Sequence, residues 1–243
     1  MLFRSISTCT LALILCATPI QSTSAAPITF SASSGNLAAS ATFEVVGGNL
    51  QVTLTNSSLF DVLVPADVLT GMFFDVNGAA PVLTPVSAIL GLGSSAVFGV
   101  TDLGGVVGGE WAYGASLAGA PHGATRGISS SGLGLFSGPN FPGSNLQGPA
   151  GVDGMQYGIL SAGDNIATGN AAVTGSNAFV KNAVVFLLSG IDGNFDPSAV
   201  IGNVSFQYGT ALTEPNIPEP ATMTMLAMSA FACLRNRGRH ARR

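Results

Sequence analysis

Apolar and polar residues alternate along Ala39-Ser40-Ala41-Thr42-Phe43-Glu44-Val45, which sends the two kinds of side chain to opposite faces of an extended chain. Gly47-Gly48-Asn49 then supplies residues that tolerate positive φ in a tight turn. Leu50, Val52 and Leu54 alternate with Gln51, Thr53 and Thr55 on the return. The pattern predicts a hairpin with one dry and one wet face. Further strands are predicted at 69–76 (ended by Asn77-Gly78), 111–117, 156–160 and 179–188, the last nearly continuous in apolar residues and so covered on both sides. Val204, Phe206 and Tyr208 alternate with Ser205 and Gln207 in a final strand. Helical spacing is scarce, with a turn or two at 65–69 and 196–200. The glycine-rich stretches 91–109 and 132–154 read as long loops or edge strands, and no fixed-period repeat is present.

Short strands with glycine turns and no βαβ rhythm predict an all-β fold, an antiparallel β-sandwich or jelly-roll-like single domain. The 32 glycines agree, since a helix-rich domain avoids that composition. The β-domain is expected over 27–216, about 190 residues, long enough for a sizeable core.

The ends have a different character. Arg4 precedes an apolar stretch, densest at Leu11-Ala12-Leu13-Ile14-Leu15-Cys16-Ala17, and then small and polar residues run from Thr18 to Ala26. That order predicts a signal peptide over 1–26, cut after Ala25 or Ala26, with the Sec translocon and signal peptidase as partners. Leu15 before Cys16 is too large for a lipoprotein site. At the other end Pro218-Glu219-Pro220 precedes an uncharged apolar segment, 221–234, and then Arg235, Arg237, Arg239, Arg242 and Arg243. The prolines remove two backbone donors and are expected to stop regular structure from running into the apolar segment. That segment is shorter than the roughly 20 residues that cross a bilayer comfortably, so it predicts a temporary transmembrane hold, with the arginines as the membrane stop on the cytoplasmic side. A plain C-terminal membrane anchor is the other reading of the same residues.

All three cysteines, Cys9, Cys16 and Cys233, lie in these end segments. The domain is therefore held without disulfides and has no thiol nucleophile or cysteine metal site. Between Pro27 and Ile217 only Arg126 and Lys181 are basic, against eleven acids. No basic footprint for nucleic acid exists.

Ile217-Pro218-Glu219-Pro220-Ala221-Thr222, the apolar segment and the basic end together resemble a PEP-CTERM sorting signal (217–243, with motif 218–220 and basic end 235–243). The resemblance implies recognition by an exosortase, a membrane-embedded cysteine transpeptidase of Gram-negative bacteria. It further implies cleavage near Pro218, Glu219 and Pro220 and transfer to the cell surface or extracellular matrix. This chain departs from the family in an apolar run that is short and rich in Met, Ala and Thr, and in a basic end interrupted by Asn236, Gly238, His240 and Ala241. The body is similar to exosortase-dependent bacterial surface proteins along Ser33-Ser34-Gly35-Asn36-Leu37, Asp61-Val62-Leu63-Val64-Pro65, Gly109-Glu110-Trp111-Ala112-Tyr113, Ser161-Ala162-Gly163-Asp164-Asn165 and Asn203-Val204-Ser205-Phe206-Gln207-Tyr208. That similarity brings localisation and no activity.

Chemistry in the domain is sparse. His122 stands in a loop between Pro121 and Gly123, and no Gly-x-Ser-x-Gly elbow presents a serine to it. Glu110, beside Trp111 and Tyr113, is the best carboxylate for sugar chemistry, with Asp153 or Asp164 as partner, although an exposed Glu110 next to a core Trp111 is the simpler expectation. Trp111 and Tyr113 are the candidate stacking platform for a carbohydrate. Asp192, Asn194 and Asp196 alternate as in the first half of a calcium loop, but Pro197 takes the place of the bending glycine, so an ordinary turn competes with a Ca²⁺ site. Gly104-Gly105-Val106-Val107-Gly108-Gly109 lacks the lysine of a phosphate loop. The expectation is a non-enzymatic, exported surface or biofilm-matrix protein without a required cofactor, adhesive or structural, with extracellular polysaccharide a possible partner. The alternative is a carbohydrate- or calcium-binding surface module.

Overall fold

The computed structural model describes residues 25–78, 81–137, 140–143, 154–168 and 177–220. Residues 1–24 of the expected leader, the segments 221–234 and 235–243, Asp153 and most of 138–153 lie outside the described residues.

The fold is all-β, built from two sheets rich in antiparallel pairs. The first has the order β1 (Ile28–Ser34), β2 (Leu37–Val46), β3 (Asn49–Asn56), β11 (Ala183–Ser189), β5 (Thr84–Leu90). Every neighbouring pair in it is antiparallel. The second runs β13 (Asn216–Pro218), β12 (Ile201–Tyr208), β4 (Leu69–Val76), β9 (Ile159–Leu160), β10 (Phe179–Lys181), β6 (Ser95–Val97). In it β8 (Arg126–Ser129) also pairs with β4 and carries β7 (Ala112–Ala115). Its one parallel pairing among the described strands joins β9 and β10.

The β2–β3 hairpin follows its sequence pattern. Gly47 and Gly48 take φ of 56° and 77° in the turn, and Leu50, Val52 and Leu54 are fully buried. β4 spans the predicted 69–76. The region 179–188 differs from expectation: it is two strands, one in each sheet, broken at Asn182. Asn182 adopts φ 88°, a conformation asparagine tolerates better than most residues. Its N–H donates to Leu160 O in the second sheet while its carbonyl accepts the Asn56 N–H of the first, so one residue stitches the sheets together. The predicted strand at 111–117 contracts to β7, preceded by a 3₁₀ turn at Gly108–Glu110, and that at 156–160 to β9. The turn expected at 196–200 is a short helix, Pro197–Val200, capped by Asp196, whose Oδ1 accepts the Ser198 N–H at 2.9 Å.

One core spans both sheets. Phe43 of β2 meets Phe74 of β4 at 5.3 Å between ring centroids, and Phe186 of β11 meets Trp111 at 4.9 Å and Phe141 at 5.1 Å. The outer face of the second sheet is covered too, where Phe73 packs with Ala112, Ala124 and Phe136 beneath the loops. That covering explains why β4 and β12 are buried along nearly their whole length and show little alternation in exposure.

Candidate functional site

Asn56 Nδ2 donates to Ile159 O at 3.0 Å, and Ile159 pairs with Leu69. This bond sets the end of β3 and the starts of β2 and β4 at one end of the molecule, together with the end of β12. By the same registers, Ile28 (opposite Phe43) and Pro218 (opposite Ser205) run toward the other end, where β1 and β13 lie side by side. Chain entry and tail exit therefore share one end, and the 57–64 loop marks the opposite tip.

Two loops are stapled together at that tip. Ser161 Oγ donates to Phe60 O at 2.5 Å, the Gly163 N–H to Ser58 O at 3.2 Å and the Asn165 N–H to Asp61 Oδ1 at 2.9 Å. A side chain at Gly163 would run into the Leu59 carbonyl, so the close crossing requires glycine there. Outside this stapled frame stand Leu59 (82% exposed), Phe60 (55%), Leu63 (56%), Val64 (48%) and Ile166 (48%). Beneath them Asp164 is buried at 8% exposure, its Oδ1 accepting the Val62 N–H at 3.0 Å. The Lys181 Nζ donates to the Asp164 carbonyl at 2.6 Å.

Burial lifts the Asp164 carboxyl above the usual carboxylate range. The Val62 hydrogen bond pulls against that, the neighbouring Asp61 adds to it, and the Lys181 charge opposes it. Asp61 is held low, first by the Asn165 amide, against desolvation and with help from Asp164, Thr168 and Val62. The two linkages have opposite signs. Asp61 contributes stability above its unfolded pKa that is lost as pH falls through its lower folded pKa, whereas Asp164 costs stability above its unfolded pKa and the cost is relieved on protonation. Asp164→Asn keeps the acceptor for Val62, removes the desolvated charge and offers Asp61 a donor. The melting temperature is expected to rise at about pH 7 and to be unchanged at about pH 3, where the native carboxyl is already neutral. A fall at neutral pH in a thermal melt would show that the charge itself supports the loops.

The other sequence candidates are arranged as follows. Trp111 is fully buried against Phe186, and Tyr113 is 2% exposed, its hydroxyl accepting from Arg126 Nη1 at 2.6 Å. Neither ring shows a face to solvent, which corrects the carbohydrate-stacking expectation: the aromatic pair is core. Glu110 is buried at 2% exposure in the 3₁₀ turn, which corrects the expectation of an exposed strand residue. Asp164, its suggested partner, pairs with Asp61 instead. Asp192 Oδ1 accepts the Asn194 N–H at 2.9 Å, and Asp196 Oδ1 caps the helix and takes the Ser198 hydroxyl at 2.7 Å, so these oxygens close a turn. No group of three or more His, Cys, Asp or Glu side chains suited to a metal occurs among the described residues.

His122 is exposed, with φ 56°, and its Nε2 lies 3.0 Å from Asn216 Oδ1. It belongs to a polar network of residues far apart along the chain. Asp75 accepts from the Thr125 hydroxyl and amide (2.7 and 2.8 Å) and from Asn203 Nδ2 (2.8 Å), and Asn203 Nδ2 also reaches His122 O at 3.3 Å. Burial pushes the Asp75 carboxyl up, but these three hydrogen bonds and the Arg126 charge outweigh it and hold the carboxyl low.

The tail motif is reached through this network. Asn216, held by His122 and donating from Nδ2 to Gln207 Oε1 at 3.2 Å, begins β13. Ile217 is buried, Pro218 exposed, Glu219 half-buried and Pro220 exposed. Burial raises the Glu219 carboxyl above its ordinary range. No helix among the described residues is long and apolar enough to cross a membrane. No protein-family model, curated protein or solved structure matches the chain.

Proposed function

We propose that the chain is an exported, non-enzymatic surface or matrix protein of a Gram-negative bacterium, sorted by an exosortase that severs its tail at Pro218-Glu219-Pro220. The observation that carries this reading is the order of elements: a leader with the composition of a signal peptide, a β-domain without cysteine, the tripeptide, an uncharged segment, and terminal arginines. The fold supports it at two points. The two sheets around one core suit a sandwich that is stable outside the cell without disulfides. The apolar tip at Leu59, Phe60 and Leu63 stands at the end away from the tail. A tail held in the inner membrane or on a surface acceptor leaves that tip outermost, the position of an adhesive contact.

Fusing residues 217–243 to a Sec-exported reporter tests the sorting part. Release of the reporter from the inner membrane in cells with exosortase, and retention in cells lacking it, is the expected outcome. Equal retention in both strains would reduce the tail to a plain membrane anchor.

A further inference from the structure

The segment that carries the tail motif is also part of the folded domain. Along β13 the Tyr208 N–H donates to Pro215 O and the Glu219 N–H to Val204 O, both at 2.9 Å, so backbone bonds to β12 flank Ile217 on either side. Ile217 pairs with Phe206 and belongs to the core shared by the two sheets. Pro218 sits opposite Ser205, and its nitrogen falls on the open side of the sheet, where the ladder needs no donor. Pro218 thus fits the edge of the sheet and denies that edge to a further strand at its own position.

We propose that β13 is a latch: the sorting enzyme cuts the tripeptide only after residues 216–219 have peeled away from β12. The latch rests on the sorting reading above. An enzyme that cleaves a backbone must enclose the extended segment around the scissile bond. While docked, that segment is bonded to β12 on one edge and rooted in the core through Ile217. Cleavage then follows the population of the opened strand, as it does for a protease acting on a locally unfolded segment. The folded domain governs the cut, and His122 and Gln207, which grip Asn216, are the positioning residues of the catch.

The test is a cross-link. Gln207 and Asn216 face each other between the bonded positions, and Gln207→Cys with Asn216→Cys in a Cys233→Ser background places a disulfide across β12 and β13. In cells with exosortase the oxidised protein is expected to lose its tail at least about tenfold more slowly than the same protein kept reduced. Ile217→Ala, which loosens the strand, is expected to lose it faster than wild type. Equal rates for oxidised and reduced protein would overturn the latch. Hydrogen exchange at the Glu219 amide in the purified full chain reads docking independently of sorting: slow exchange is expected, and exchange as fast as an open linker would overturn the latch even where the tail is cut. A wild-type chain that keeps its tail in the presence of exosortase, with Glu219 protected, fails the sorting reading while the strand remains docked.

Discussion

Phe186→Ala is expected to destabilise the domain by about 3–5 kcal/mol, a large part of the stability of an ordinary domain. Phe186 is fully buried at the middle of β11, between Val52 of β3 and Ala88 of β5. Its ring meets Trp111 and Phe141 across the core, so truncation removes both its own burial and two aromatic contacts. The cavity has little means of collapse, because its walls are strands fixed by their ladders. For a domain of this size the loss corresponds to a fall in melting temperature of about 6–20 °C. Urea unfolding with a lower midpoint and an unchanged slope is the expected form of the result. A loss below about 1 kcal/mol would mean that the two sheets do not close on Phe186 as described.

Replacing Pro218, Glu219 and Pro220 together by alanine is expected to have the largest effect on fate. The domain should fold nearly as before: Pro218 and Pro220 are exposed on the open edge, and Ile217 keeps its place in the core. A new N–H at position 218 points away from β12 and costs the ladder nothing. Sorting should stop, and the full-length chain should accumulate in the inner membrane. Fractionation with an antibody to the β-domain reads the outcome. Surface release at the wild-type level would show that the tripeptide is not what the sorter recognises.

How far the fold was legible in the sequence depended on whether a strand had a wet face. β2 and β3 alternate because one side of their hairpin meets solvent, and the glycines at 47 and 48 marked the turn. β4 and β12 are covered on both sides, so alternation could not say which aromatic faced what. Trp111 and Tyr113 read as a ligand platform because the sequence does not say which side faces inward: both belong to the core between the sheets, while Ala112 between them faces the outer cluster. The corner at Asn182 had a signal, the polar pair Lys181-Asn182 within an apolar run, but its meaning as a change of sheet depends on partners far along the chain. β1, β5 and β8 were missed because small and polar residues dilute their pattern.

β13 was missed for a more instructive reason. Pro218 and Pro220 are expected to keep regular structure out of 221–234, which lies outside the described residues, but at a sheet edge every second N–H faces away from the ladder, and Pro218 is tolerated there within a strand. Among candidate site residues, the order of the tail residues was visible because they are contiguous in sequence, and their role is the proposal made above. The Asp61–Asp164 pair and the His122–Asn216 contact were not, since each joins residues brought together by folding alone.

The most direct test of the account is the C-terminal sequence of the protein recovered from the cell surface and surrounding matrix. A chain whose last residue lies within 217–220 is expected in cells that carry exosortase and not in cells that lack it. A surface protein that still ends at Arg243 in both would contradict it.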